Sequence, residues 1–153
     1  MRRLIVSTAA VFIGLVLLGP WGLYALGLTN IEGRPSTPTS LPISPEEDAL
    51  LRQALRAQYG ISVVPLSPAT YYVSLAMTGS PKSATDSGAD AAWLIARSYN
   101  LTHLKRHQGL WWHLSGAALT IWITRNWTAD QVLLSAAEIV RRHPQPVRQP
   151  ASR

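Results

Sequence analysis

The chain has 153 residues, with 14 Lys and Arg against 8 Asp and Glu, a formal net charge of +6, and no cysteine. This length accommodates one compact domain with extra segments at its ends. Without cysteine, disulfides, thiolate metal sites and a cysteine nucleophile are excluded. No basic run is long enough to follow a nucleic-acid backbone, so we expect no nucleic-acid partner. The positive excess suits an anionic membrane surface or a phosphate-bearing ligand.

The N-terminal segment predicts a membrane anchor. About 25 uncharged residues run from Leu4 to Leu28, more than the roughly 20 residues that cross a bilayer. Because two arginines precede this run and Glu32 is the first charge after it, the N-terminus is predicted to be cytoplasmic. Residues 1–28 are therefore predicted to be a single-pass anchor in the inner membrane, with the rest of the chain in the periplasm. A signal peptide cleaved near Gly27 is the alternative.

Two segments are predicted to lie outside the domain. Residues 29–44 are dense in Pro, Ser and Thr and predict a linker. Within that linker, "IEGR" matches the recognition sequence of a site-specific protease, and we interpret the match as coincidence. Residues 143–153 carry three prolines and predict a disordered tail. The domain is expected to span residues 45–142.

Helix-capping signals dominate that domain. Ser44 is followed by proline and by glutamate three residues later, which starts a helix that Gly60 is expected to end. Ser67 repeats the serine-proline signal, and Ser87 starts a third helix. Thr128 opens a capping box before an amphipathic run. The predicted fold class is mainly α.

One apolar stretch, "RHQGLWWHLSGAALTIWITRNW", has two interpretations. As a second membrane span it would place the basic C-terminal segment in the cytoplasm, as the positive-inside rule favours. However, the uncharged run from Gln108 to Thr124 is only about 17 residues and falls short of a span. His113 and Thr120 also interrupt it at helical spacing. These features favour a central helix enclosed by neighbouring helices.

The segment "HLSGAALTIWITRNWTADQVLLSAAEI" resembles the peptidoglycan glycosyltransferases, in which a long apolar helix ends in an arginine-bearing turn before a capped helix. Upstream, "SGADAAWLIARSYN" and "LSPATYYVSLAMTG" stand where that family has a Gly-rich stretch and a helix with its first catalytic glutamate. The resemblance covers residues 65–139. It implies a transmembrane helix followed by a small lysozyme-like helical domain, and partners such as peptidoglycan or its lipid-linked glycan precursor.

The catalytic pattern of that family is not retained. Polymerising a glycan requires carboxylates that activate the acceptor and assist the leaving group. Thr78 stands where the first glutamate is expected, and Gly116 stands where the second acid is expected. Trp112 and His113 replace an Arg-Lys pair, while Arg97 keeps a phosphate-facing charge. The resemblance therefore implies a non-catalytic relative without catalytic residues.

Several side chains are candidates for binding. The residues predicted to contact phosphate or glycan are Arg97, Lys105, Arg106, Trp112 and His113. A simpler interpretation makes the Lys-Arg pair a charged connector and the tryptophans core residues. His103 and His107 are spaced four apart, but no carboxylate stands at ligand spacing, so we predict no metal site. No cofactor is expected.

Two functions remain open. In the first, the domain binds glycan or a lipid-linked precursor without standard polymerase activity. In the second, it is an anchored protein-interaction component of a cell-envelope or secretion assembly. The first predicts that the basic residues are required for binding an anionic ligand, and the second does not.

Overall fold

The computed structural model describes residues 14, 18–39, 42–57, 60–78 and 87–143. Within these ranges the chain forms helices and no strand, which confirms the mainly α fold class. The helices are α1 (residues 18–29), α2 (Pro45–Leu55), α3 (Pro68–Thr78), α4 (Ser87–His103), α5 (Leu110–Asn126) and α6 (Ala129–Arg142). The tail predicted to be disordered lies outside the described residues from position 144 onward.

Local capping interactions start α2 and α6, as predicted. The Ser44 hydroxyl accepts from the Glu47 N–H at 3.2 Å, and the Glu47 carboxylate accepts from the Ser44 N–H at 3.2 Å. Thr128 and Gln131 form the same reciprocal pair at the start of α6. Each pair satisfies backbone donors that the first helical turn leaves without a partner. At its other end α2 stops at Arg56, which adopts the left-handed conformation before the predicted stop at Gly60 is reached.

Helix α5 lies at the centre of the fold. Ten of its 17 residues are buried, which confirms the enclosed helix predicted for this stretch. Helix α4 packs along both α5 and α6, α2 packs against α6, and α3 packs against α5. The buried Thr120 hydroxyl donates to the Gly116 carbonyl at 2.8 Å, and Thr124 accepts from the Leu66 N–H at 3.2 Å. These polar side chains are tolerated in the core because they are hydrogen-bonded.

Helix α1 packs closely against α5. A Cβ placed on Gly27 would lie 2.6 Å from both the Ala118 Cβ and the Leu114 carbonyl oxygen. Leu28 and Ile31, at the end of the helix, pack into the larger of the two hydrophobic clusters. Glycine is required at position 27 because the two backbones approach too closely for any side chain.

The prediction of a single-pass protein in the inner membrane is contradicted. Among the described residues, no helix is long and apolar enough to cross a membrane. The described part of α1 has 12 residues, about 18 Å of helix, and one of its faces packs against α5. Residues 4–13 and 15–17, the first part of the predicted span, lie outside the described ranges.

The segment predicted as a linker is tied to the helices in its described part. Ile31 forms an antiparallel bridge with Leu104 and is buried. The Tyr99 hydroxyl donates to the Glu32 carbonyl at 3.0 Å, and the Gln131 side chain donates to the Pro38 carbonyl at 3.1 Å. Residues 30–39 therefore form an extended strap that runs from the end of α1 to the start of α6.

Candidate functional site

The connection between α4 and α5 presents three consecutive basic or titratable side chains to solvent. Lys105, Arg106 and His107 are all exposed, and we call residues 105–107 the basic connection. The strap holds this connection at its backbone. The Glu32 N–H donates to the His103 carbonyl at 2.8 Å, and the Lys105 N–H donates to the Asn30 carbonyl at 3.0 Å. The basic side chains therefore project from a backbone fixed by hydrogen bonds on both sides of the Ile31 bridge.

Asn30 fixes the connection further through its side chain. Its Oδ1 accepts from the Arg106 N–H at 3.1 Å, and its Nδ2 donates to the Arg106 carbonyl at 3.1 Å. The same Nδ2 donates to the Ser115 hydroxyl at 2.9 Å. Because Asn30 is buried, these bonds are shielded from water and position Arg106 relative to α5.

The two charged side chains of the site are held differently. The Lys105 ammonium donates to the Thr29 carbonyl at 3.0 Å, at the C-terminal end of α1, where the helix dipole favours a positive charge. The Arg106 guanidinium lies over the Trp111 ring, with its Cζ 4.7 Å from the ring centroid. This stacking orients the guanidinium through one face and leaves its N–H groups able to donate to a ligand.

The basic connection lies in a stretch of sequence without acidic residues. Residues 91–129 contain no Asp or Glu, although they carry four Arg or Lys and three His. Glu32 of the strap is the acidic residue beside the connection, with its N–H bonded to His103. Ion pairs join residues of α2 and α6, namely Arg52 with Asp48, Arg141 with Glu47, and Arg142 with Glu138. Among the described residues, neither Lys105 nor Arg106 forms an ion pair with Glu32 or with another carboxylate.

The start of α5 adds to this positive potential. Gly109 precedes the helix with φ 56° and provides no side chain to bond the first N–H groups. The first N–H groups of an uncapped helix attract anions, and the helix dipole has its positive end there. Since Gly109 directly follows the basic connection, both features favour the same kind of ligand.

The other predicted site residues do not all join this site. Arg97 is exposed on α4, about 9 Å along the helix axis before His103 at its end. His113 is exposed one turn into α5. Trp112 is half-buried and packs against the larger hydrophobic cluster, so it acts as a core residue. The structure thus places Lys105 and Arg106 together with Trp111 and not with the predicted Trp112.

The position that corresponds to the family's second acid does not border a cleft. At Gly116, a Cβ would lie 2.7 Å from the Trp93 ring and 3.6 Å from the Asn100 amide nitrogen. The space beside Gly116 is therefore filled by an indole ring. Thr78 is the last residue of α3, and its side chain lies outside the described part of the structure.

The histidines give no metal site in the described residues. The His103 ring stacks on Tyr99 with centroids 3.8 Å apart, and its Nδ1 lies 3.0 Å from the Tyr99 carbonyl. Within the described ranges, no three His, Cys, Asp or Glu side chains are grouped as a metal would require. His103 therefore packs as part of the end of α4.

Comparison with known proteins identifies no relative. No protein family, no curated protein and no solved structure matches the chain.

Asn30 is the site residue that sequence reasoning missed, and of two adjacent tryptophans the prediction selected Trp112 and not Trp111. Asn30 is separated by 76 positions from the residue it fixes, and it lies in a stretch whose composition predicts a linker. Trp111 stands next to Trp112, and only the direction of the helix distinguishes the one that meets Arg106 from the one in the core.

Proposed function

We propose that the chain is a non-catalytic helical binding module, divergent from the lysozyme-like domain of peptidoglycan glycosyltransferases, which binds an anionic glycan ligand. The shared ligand chemistry is a phosphate or carboxylate beside a sugar, as in a lipid-linked glycan diphosphate or in peptidoglycan. The observation that carries the proposal is the basic connection. There, Arg106 is stacked on Trp111 and fixed by Asn30 next to Lys105, and neither base forms an ion pair among the described residues.

The chemistry of each component supports this ligand class. A guanidinium donates two parallel hydrogen bonds to a phosphate or carboxylate, and a lysine adds a point charge. The uncapped start of α5 adds backbone donors. Aromatic faces such as that of Trp111 pack against the apolar face of a sugar ring.

The surroundings of Gly116 support a binding role without glycan polymerisation. An acid at that position would have to displace the Trp93 ring from its contact with α5. The ion-paired carboxylates Glu47, Asp48 and Glu138 lie on α2 and α6, whereas Gly116 lies on α5 against Trp93 of α4. Acid–base catalysis requires such groups within hydrogen-bond reach of the reacting atoms.

Calorimetric titration tests the binding role. The ligand is a water-soluble, short-chain polyprenyl diphosphate disaccharide, used without vesicles. We expect the Lys105→Ala, Arg106→Ala double variant to bind on the order of tenfold or more weakly, because charge-assisted hydrogen bonds are lost.

The matched control is the Arg141→Ala, Arg142→Ala variant, which removes the same charge from the exposed end of α6. We expect it to bind like the unaltered chain. Equal losses in both variants would show only a response to net charge, and absence of binding by the unaltered chain would refute the proposal. Glycan polymer formed by the purified chain would contradict its non-catalytic part.

A further inference from the structure

Helices α1 and α3 expose a set of large apolar side chains that no other element covers in the described structure. We call this set the apolar face; its members are Leu18, Trp21, Leu23, Leu26, Val73 and Met77, each between 43% and 82% exposed. Residues 18–31 and 66–78 contain no charged residue. Contiguous exposed apolar surface of this kind marks an interaction site on a folded protein.

The two helices form one surface because they lie side by side on α5. Gly27 of α1 contacts α5 at Ala118, and α3 packs against α5 independently. Tyr24 of α1 packs with Tyr72 and Leu75 of α3 against the second hydrophobic cluster. Burial raises the pKa of the Tyr72 hydroxyl above its ordinary value. The shared cluster fixes the two helices relative to each other, so their exposed apolar residues lie on neighbouring helices.

Basic side chains lie beside the described part of α1 at two places. Trp21 has the Arg125 guanidinium 5.9 Å from its ring centroid. Thr29, at the C-terminal end of the helix, accepts from the Lys105 ammonium at 3.0 Å. Residues 18–29 are thus an uncharged strip with one cation beside Trp21 and another beside Thr29. The partner of this strip should therefore be apolar in the middle and negatively charged at the border.

The same charges argue against a second copy of the chain as the partner. Two copies joined through this face would bring Arg125 or Lys105 of one copy towards Arg125 or Lys105 of the other, whether the two α1 helices ran parallel or antiparallel. Like charges at an interface are repulsive and select against that pairing. A lipid surface with anionic head groups meets both requirements, because acyl chains are apolar and phosphates border them.

We propose that the apolar face binds an anionic lipid surface, with α1 lying in the plane of the surface. In this arrangement Leu18, Leu23, Leu26 and Met77 contact acyl chains, and Trp21 lies at the boundary between acyl chains and head groups. Arg125 and Lys105 meet lipid phosphates. This inference goes beyond the glycan-binding proposal and rests mainly on other residues.

Vesicle flotation of the full chain tests the inference. We use phosphatidylcholine vesicles with and without phosphatidylglycerol, and no glycan is present. We expect flotation with the anionic vesicles, weakened by salt. Leu26 and Met77 are 46% and 82% exposed on the protein. Leu26→Asp and Met77→Asp should each weaken vesicle binding on the order of tenfold or more, because a charge replaces an apolar side chain that inserts among the acyl chains.

Leu50→Asp is the matched control, because Leu50 is 40% exposed on α2, which packs away from α1 and α3. It should float like the unaltered chain, and circular dichroism should show equal helix content in all variants. Absence of flotation, or undiminished flotation of Leu26→Asp, overturns the inference. A dimer in sedimentation equilibrium without vesicles that Leu26→Asp dissociates also overturns it, in favour of self-association. None of these outcomes changes the result expected from titration with the soluble glycan ligand. The lipid-binding inference and the glycan-binding proposal can therefore be refuted independently of each other.

Discussion

At the scale of single residues, Gly27 determines whether α1 can lie against α5. Alanine at this position would bring its Cβ within 2.6 Å of the Leu114 carbonyl, which is backbone and cannot rotate away. We expect Gly27→Ala to lower the free energy of unfolding by about 1–3 kcal/mol, as overpacked cores do. Urea denaturation followed by tryptophan fluorescence measures this change.

Gly22→Ala provides the control on the same helix. Nothing lies within 4 Å of a Cβ at Gly22, so alanine should only improve helix propensity, by up to about 1 kcal/mol. Stabilisation by both substitutions would show that α1 does not pack against α5 as described.

Replacement by leucine is expected to have opposite effects on stability at two buried asparagines, Asn30 and Asn100. Asn30 makes three hydrogen bonds to Arg106 and Ser115, whereas Asn100, 1% exposed, has neither amide atom bonded within the described residues. Asn30→Leu leaves buried partners unsatisfied and should lower the free energy of unfolding by about 1–3 kcal/mol. Asn100→Leu should leave it unchanged or raise it by about 1 kcal/mol. Urea denaturation of both variants checks the signs, and a loss of stability in Asn100→Leu would contradict the second.

At the scale of helices, the starts were predictable from sequence and some of the ends were not. Capping boxes at Ser44 and Thr128 use residues three apart, so the sequence alone determines them. The end of α2 at Arg56 and the docking of α1 depend on neighbours distant in the chain. An apolar run such as residues 18–28 has the same composition whether it faces lipid or another helix. The close approach at Gly27 is a tertiary feature that composition does not encode.

The α2 capping box makes stability depend on pH. Hydrogen bonds from the Ser44 N–H and hydroxyl, with a smaller contribution from Arg141, lower the pKa of the Glu47 carboxyl in the folded chain. A lowered folded pKa means that the unfolded chain binds the proton more tightly. The stabilisation is therefore present above the ordinary glutamate pKa and lost as pH falls through the lowered value.

Glu47→Gln removes this titration. We expect the difference in free energy of unfolding between the unaltered chain and the variant to be constant near neutral pH. It should shrink on acidification through the range below the ordinary glutamate pKa. Urea denaturation across that pH range measures it, with Glu46→Gln as a control because Glu46 makes no ion pair among the described residues. A pH-independent difference would exclude the capping carboxylate as the cause.

At the scale of the whole molecule, charge and apolar surface are segregated. Ion pairs join residues of α2 and α6, while Lys105, Arg106 and Arg125 form no ion pair among the described residues. The sequence predicted the Lys105–Arg106 pair because the two residues are adjacent. It could not predict that Asn30 fixes Arg106 or that Trp93 fills the space beside Gly116, because both contacts depend on how helices meet.

Protease cleavage within the strap measures how firmly α1 is held against the other helices. The "IEGR" sequence ends at Arg34, and Pro35 after it would block cleavage, so every chain and peptide compared in this experiment carries Pro35→Ala, including the otherwise unaltered chain. A protease that cleaves after Arg34 must bind these residues in an extended, accessible form. Ile31 is buried and bridged to Leu104, and the Glu32 N–H is bonded to His103. Cleavage should therefore require release of the strap, and its rate should report the fraction of released chains. We expect slow cleavage of the unaltered chain, a rate roughly tenfold or more higher in Gly27→Ala, and an unchanged or lower rate in Gly22→Ala. Time courses resolved by mass spectrometry provide the rates. Rapid cleavage of the unaltered chain, equal to that of a short peptide with the same sequence, would show that the strap and α1 are not held against the helical body.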